Sequence, residues 1–175
     1  MLVSNNSLII LQSSTSETHI LPTISVTHLF NAPIHEVFEA VINADKYPYV
    51  SRLVHVERVR SASAKDKDGV GTMREVELGV MWFKEVFTVF ERPSRVEYKI
   101  LEARPYFDHQ AGCFSFKKRG TMTEVTWSSS FNVPSVWQPK LVSTLSGWVA
   151  KAAFKSTLMV LDNKLQVSRR PARLK

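Results

Sequence analysis

The last part of the chain has a long helical repeat of apolar side chains, and this repeat limits the possible folds most strongly. Between Ser135 and Gln166 such side chains recur at steps of three and four residues. The positions are Leu141, Leu145, Trp148, Ala152, Ser156 and Met159. They predict one helix of about 25–30 residues, roughly 40 Å long, whereas the mean helix has about 11–12 residues. In a small domain, only a sheet that curves along such a helix can cover one of its faces.

Seven segments with an apolar period of two come before this helix, and that period is typical of strands. The first covers residues 24–30. The other six lie between residues 53 and 133, and turn signals such as Gly69, Gly79 and Gly120 separate several of them. Because no helical segment lies between these six strands, the order predicts an antiparallel meander rather than βαβ units.

Two short helices are predicted after the first strand. Asn31 is a candidate N-cap, and Pro33 suits the start of a helix that ends near Asn43. Asp45 can cap a second helix, which Pro48 keeps short. The predicted fold class is therefore α+β, with a curved seven-stranded antiparallel sheet around a long C-terminal helix and two short helices after the first strand.

The size and composition of the chain fit a single domain. It has 175 residues, of which 44% are hydrophobic and 22% are charged. The one cysteine, Cys113, excludes an internal disulfide and fits a reducing compartment. No apolar run approaches the roughly 20 residues of a membrane span. We expect a cytoplasmic protein in which residues 1–22 form a flexible leader, 23–167 the domain and 168–175 a basic tail.

Positive charge is concentrated at the C-terminus. The whole chain has a formal charge of +7, and residues 140–175 alone contain eight basic side chains and one acid, Asp162. The remainder is neutral. Such an end is either a solvated tail or a docking segment for an anionic membrane or RNA, and the sequence leaves both alternatives open.

Several short segments occur in an order that resembles a known superfamily. They are 31–38, 45–48, 68–72, 91–96, 112–116 and 121–127. Over about residues 24–165 the chain resembles the SRPBCC superfamily, also called the helix-grip or START-like fold, and most closely its polyketide cyclase/dehydrase and lipid-transport branch. The resemblance implies an apolar cavity between the sheet and the C-terminal helix. Members include lipid carriers, hormone receptors, ubiquinone-binding proteins and aromatase/cyclases, so the fold does not fix the function.

Strand alternation nominates the side chains that would line such a cavity. In the strand 80–91 the two alternating sets of side chains are almost equally apolar, so either set could face inward. We predict that the set with Met81 and Phe83 does. Packing of these aromatic side chains as an ordinary core is the alternative. The predicted ligand-binding residues are Val76, Met81, Phe83, Phe87, Tyr98, Gln110, Phe114, Phe116, Trp127, Phe131, Leu145, Trp148 and Ala152.

Three polar residues share the predicted inner faces and are candidate catalytic groups. Glu85 could act as an acid or base among apolar neighbours, Arg74 could hold a carboxylate or enolate oxygen, and Tyr98 could polarise a carbonyl. Alternatively, Glu85 faces solvent and Arg74 pairs across strands with a glutamate. The five histidines are scattered without zinc-like spacing, so no metal and no cofactor are predicted. The neighbours Asp108 and His109 should point to opposite faces.

The leading hypothesis is a carrier or sensor that binds a small hydrophobic molecule, such as a lipid, an isoprenoid quinone or an aromatic polyketide. The first alternative is an enzyme of the polyketide cyclase/aromatase type. The second is a membrane- or RNA-associated module that docks through the basic C-terminus. A monomer and a homodimer are both compatible with the sequence.

Overall fold

The computed structural model describes residues 23–45, 54–106, 108–132 and 140–169, and of Val54, Leu78, Asn132 and residues 140–147 it describes only the backbone. The elements are β1 (Thr23–Phe30), α1 (Ile34–Ile42), β2 (Val54–Arg60), β3 (Met73–Leu78), β4 (Met81–Glu91), β5 (Arg95–Arg104), β6 (Asp108–Arg119), β7 (Met122–Asn132) and α2 (Lys140–Arg169). The leader 1–22 and tail residues 170–175 lie outside this description.

One antiparallel sheet contains all seven strands, in the order β1-β7-β6-β5-β4-β3-β2. Strands β2 to β6 each pair with the next strand along the chain. Strand β1 forms the edge opposite β2 and pairs with β7, from Thr23 opposite Ser130 to Phe30 opposite Thr123. The seven-stranded antiparallel sheet and the long C-terminal helix are therefore confirmed. The predicted second short helix falls mostly on residues 46–53, outside the described residues.

The first helix begins without a side-chain cap. Pro33, with a φ of −62°, holds the N-cap position, and its carbonyl accepts the amide proton of Val37 at 3.1 Å. The prediction that Asn31 is the N-cap is therefore wrong. Its carbonyl oxygen instead accepts hydrogen bonds from Gln166 and Arg169 near the end of α2. The helix buries Phe38 and its apolar neighbours against the core.

The long helix α2 lies against β1 and α1. Its buried face consists of side chains at steps of four and three residues, Phe154, Leu158, Leu161 and Leu165. From Trp148 onward the predicted lining stripe is wrong, because Trp148 is 71% exposed and Ala152, Ser156 and Met159 also face solvent. From Trp148 to Leu161 the helix is apolar on several faces, so the spacing alone did not select the buried one.

Polar contacts to β1 fix the rotation of α2 about its axis. Lys155 donates to the carbonyl of Thr27 at 2.6 Å, and His28 Nε2 lies 3.0 Å from the carboxylate of Asp162. These side chains are on the same side of the helix as Leu158, so they turn that side towards the sheet. No helix among the described residues is long and apolar enough to cross a membrane.

Candidate ligand-binding site

The inner face of the sheet carries most of the predicted lining residues. Buried or packed against the core on this face are Val76, Phe83, Phe87, Tyr98, Phe114, Phe116 and Trp127. Met81 and Phe131 share the same phase and are half-buried. In β4 the inward phase includes Phe83, Glu85 and Phe87, which decides between the two phases that the sequence left open. The Leu145 side chain lies outside the described residues, and the exposed Trp148 and Ala152 do not belong to this face.

An extra residue in β6 reverses the predicted phase near its start. His109 pairs with Phe131, but Ala111 pairs with Ser130, so Gln110 is left as a bulge. Gln110 is consequently exposed, and its predicted inward position is wrong. His109 and Gly112 both face inward as a result, and His109 is only 3% exposed. No sequence signal marked this bulge, which is why the histidine was missed as a site residue.

The candidates Arg74 and Glu85 form a buried ion pair. They are directly opposite each other on β3 and β4, and each side chain is 4% exposed. Arg74 Nε donates to Glu85 Oε1 at 2.7 Å, and its Nη2 donates to the same oxygen. Arg74 Nη1 donates to the carbonyl of Ile42 at 2.8 Å, at the end of α1. Both residues face the interior as predicted, and the cross-strand pair that we considered as the alternative for Arg74 is present as well.

An aromatic layer extends across the inner face beside this ion pair. The ring of Tyr98 stacks on His109 with centroids 5.4 Å apart and packs against Phe114 at 5.7 Å. Phe114 in turn lies 4.8 Å from Trp127. Trp127 stacks almost parallel on Phe154 of α2, with centroids 3.8 Å apart and planes 3° from parallel. The layer therefore connects β5, β6 and β7 to the helix.

Gly112 allows the Tyr98 ring to lie across β6. The two residues are paired on neighbouring strands and point to the same face. A Cβ atom built on Gly112 would come within 2.5 Å of three carbon atoms of the ring, which is impossible without displacement. Only glycine therefore lets this ring reach over β6 towards β7.

Buried and partly buried hydrogen bonds connect the polar groups of the aromatic layer. The amide of Ile100 donates to His109 Nδ1 at 3.1 Å, and His109 Nε2 lies 3.1 Å from Ser129 Oγ. The Ser129 hydroxyl also acts on the Tyr98 hydroxyl as a hydrogen-bonding neighbour, which acts to lower the pKa of Tyr98 against the larger effect of burial. Trp127 Nε1 donates to the same hydroxyl at 2.8 Å. Because an amide can only donate, Nδ1 must be the acceptor of the ring, and the neutral imidazole carries its proton on Nε2.

Burial keeps both titratable members of this cluster neutral. Desolvation raises the pKa of Tyr98 far above its ordinary value, and the nearby charge of Glu85 acts in the same direction. Desolvation also lowers the pKa of His109 to about 4, helped by the charge of Lys99. At neutral pH the cluster is therefore a set of uncharged donors and acceptors.

The neutral His109 predicts a loss of stability in mild acid. The unfolded chain binds a proton at this imidazole near pH 6.5, but the folded protein does so only near pH 4. The free energy of unfolding should thus fall by about 2–3 kcal/mol as the pH drops through this window. Urea denaturation between pH 4.5 and 7 measures it. In His109→Gln this part of the pH dependence of the free energy of unfolding should be lost. In His55→Gln, at an exposed site, it should be kept. The same pH dependence in both variants and in the unaltered protein would contradict its assignment to His109.

Metal and thiol chemistry have little support in this site. Within the described ranges no three His, Cys, Asp or Glu residues are grouped so that they could hold a metal ion. Cys113 is half-buried on the outward phase of β6, and burial raises the pKa of its thiol. An unreactive, protonated thiol is the expected state of such a cysteine.

Comparison with known proteins identifies the family. The model of the family described as polyketide cyclase / dehydrase and lipid transport matches residues 22–166. The chain belongs to this family. A search of curated proteins finds no match for the chain.

Solved structures with low sequence identity share the fold of this family member. The Zhui aromatase/cyclase from Streptomyces sp. R1128 has a TM-score of 0.70 at 15% identity, covering 87% of this chain and 98% of that one. A START superfamily protein from Mycobacterium smegmatis has a TM-score of 0.66 at 12% identity, covering 83% and 98%. At these identities the likeness establishes a helix-grip fold.

Proposed function

We propose that this member of the polyketide cyclase / dehydrase and lipid transport family binds a small, mostly apolar molecule between the sheet and α2, as a carrier or sensor. The observation that carries the proposal is the make-up of the inner face. Its aromatic layer of Tyr98, Phe114 and Trp127 surrounds a few fixed polar groups, which is the usual composition of a ligand site. A lipid, an isoprenoid quinone and an aromatic polyketide all fit this description.

The proposed binding energy comes mainly from apolar contact. Each Å² of apolar ligand surface removed from water contributes about 25 cal/mol, and planar rings can add stacking on the aromatic layer. The buried polar groups would orient the molecule rather than supply most of its affinity. The family description and the structural relatives support such a role but name no ligand for this chain.

Native mass spectrometry of freshly purified protein, followed by organic extraction, tests the proposal. We expect a bound apolar molecule, and we expect Ser129→Leu to raise its dissociation constant about tenfold, which corresponds to about 1.4 kcal/mol of lost affinity. Ser129 is buried on the inner face, and the added side chain would fill space beside Tyr98. Ser128→Leu, on the opposite phase of the same strand, is the matched control and should retain the ligand. Protein that carries nothing extractable and binds no apolar probe would refute the proposal.

An enzyme of the polyketide cyclase/aromatase type is the second candidate function. The observation that favours it is the position of Arg74, Glu85 and Tyr98 on one inner face, with both charges acting on the Tyr98 hydroxyl. Tyr98 would then polarise a substrate carbonyl, and the Arg74–Glu85 pair would stabilise enolate charge or move a proton. In a cyclase, Tyr98→Phe lowers turnover of a poly-β-keto thioester by orders of magnitude while binding persists; in a carrier there is no turnover to lose.

The basic C-terminus, the cytoplasmic location and the oligomeric state stay predictions. The described part of this segment includes Arg169, which contacts the carbonyl of Asn31 and the carboxylate of Glu36. At least one of the basic side chains therefore interacts within the domain itself.

A further inference from the structure

The buried cluster on the inner face has more hydrogen-bond donors than the acceptors within the cluster can pair with. Its protons come from the Ile100 amide, His109 Nε2, Trp127 Nε1 and the hydroxyls of Ser129 and Tyr98. The Ile100 proton goes to His109 Nδ1, the His109 proton to Ser129 Oγ and the Trp127 proton to Tyr98 Oη. Only the two hydroxyl protons then remain to be assigned.

One hydroxyl proton is left over in either arrangement of this pair. If Ser129 donates to Tyr98 Oη, the Tyr98 proton has no acceptor among the described residues, and if Tyr98 donates to Ser129, the Ser129 proton has none. The first arrangement continues one chain of hydrogen bonds, in which His109 donates to Ser129 and Ser129 donates to Tyr98. A buried hydroxyl without an acceptor is costly, and Tyr98 is only 4% exposed.

We propose that this cluster donates its surplus hydrogen bond, through the Tyr98 hydroxyl, to an uncharged acceptor oxygen of the ligand, such as a keto, quinone or ester oxygen. The inference rests on the proposed function and adds the chemical class of the polar group that the site reads. His109, Ser129 and Trp127 act as positioning residues, because their protons already occupy the other acceptor sites of the cluster.

The contacts of Tyr98 within the cluster also explain why its hydroxyl proton points in one direction. Trp127 can donate but never accept, so the oxygen of Tyr98 must face it. The ring is held flat between His109 and Phe114 and across Gly112. The oxygen of Tyr98 accepts the proton of Trp127, so the single proton of the Tyr98 hydroxyl points away from Trp127.

A matched pair of probes tests the inference: 2-acetylnaphthalene, which has a carbonyl oxygen, and 2-isopropenylnaphthalene, which has a CH₂ group in its place. We expect Tyr98→Phe to weaken binding of the ketone about 3- to 10-fold, the usual range for one hydrogen bond, and to leave the hydrocarbon unchanged within about twofold. Tyr106→Phe, at a tyrosine that is 76% exposed, is the control and should change neither affinity.

Infrared spectroscopy on the unaltered protein provides a second readout that does not depend on a variant. The carbonyl stretch of bound, carbon-13-labelled 2-acetylnaphthalene should lie at lower wavenumber than in an alkane solvent, and Tyr98→Phe should abolish that shift. An unshifted carbonyl band, or equal weakening of both probes in Tyr98→Phe, would overturn the inference and leave the proposed function standing. If neither probe binds the unaltered protein, the inference fails, and the proposed function fails with it when native mass spectrometry also finds no bound molecule.

Discussion

Replacing Arg74 by methionine is expected to lower the free energy of unfolding by about 3–5 kcal/mol, because the change leaves the Glu85 carboxylate buried without its counter-ion. Both partners are 4% exposed, and Arg74 also binds the carbonyl of Ile42 at the end of α1. The variant therefore removes a charge partner and a contact between β3 and α1 together. Chemical denaturation at pH 7 measures the loss.

Two further variants separate the ion pair from general packing. Arg74→Met combined with Glu85→Leu should recover most of the lost stability, since a buried pair can often be replaced by apolar side chains at little cost. Arg119→Met breaks an exposed pair with Glu124, whose charged atoms are 3.0 Å apart, and should cost less than about 1 kcal/mol. A loss of similar size for Arg74→Met and Arg119→Met would show that the buried pair contributes no more than the surface pair.

Gly112→Ala should lower the free energy of unfolding by about 2–3 kcal/mol, at the upper end of the usual cost of overpacking. The new methyl group would overlap the Tyr98 ring, which cannot move aside freely because it is packed between His109 and Phe114. Displacing the ring would also separate its hydroxyl from Trp127 Nε1. We therefore expect lost affinity for an oxygen-bearing probe together with the lost stability.

A double-variant comparison checks that the overlap with the ring is the cause. In a Tyr98→Ala background, Gly112→Ala should cost less than about 1 kcal/mol, because contacting residues behave non-additively. Gly120→Ala is the control: Gly120 has a φ of +63° and open space around it, so its cost of about 1–2 kcal/mol comes from the backbone alone and should be the same in both backgrounds. Equal costs of Gly112→Ala in the two backgrounds would contradict the explanation.

Local sequence patterns were sufficient for the strands and the long helix. A period of two followed by a helical repeat depends only on which side chains alternate along the chain, so the antiparallel meander and α2 could be predicted without knowledge of contacts. For Glu85 the alternation left two phases open, and its burial in an ion pair with Arg74 in the folded sheet decided between them.

Tertiary structure alone decided which face of α2 is buried and which residues of β6 point inward. Between Trp148 and Leu161 the helix offers apolar side chains on several faces, and the contacts of Lys155 and Asp162 with β1 select the face of Leu158. In β6 the bulge at Gln110 depends on the register with β7, which places His109 inside. Helix rotation and strand register are set by the partner element, and the partner's position is not encoded in the periodicity of the segment itself.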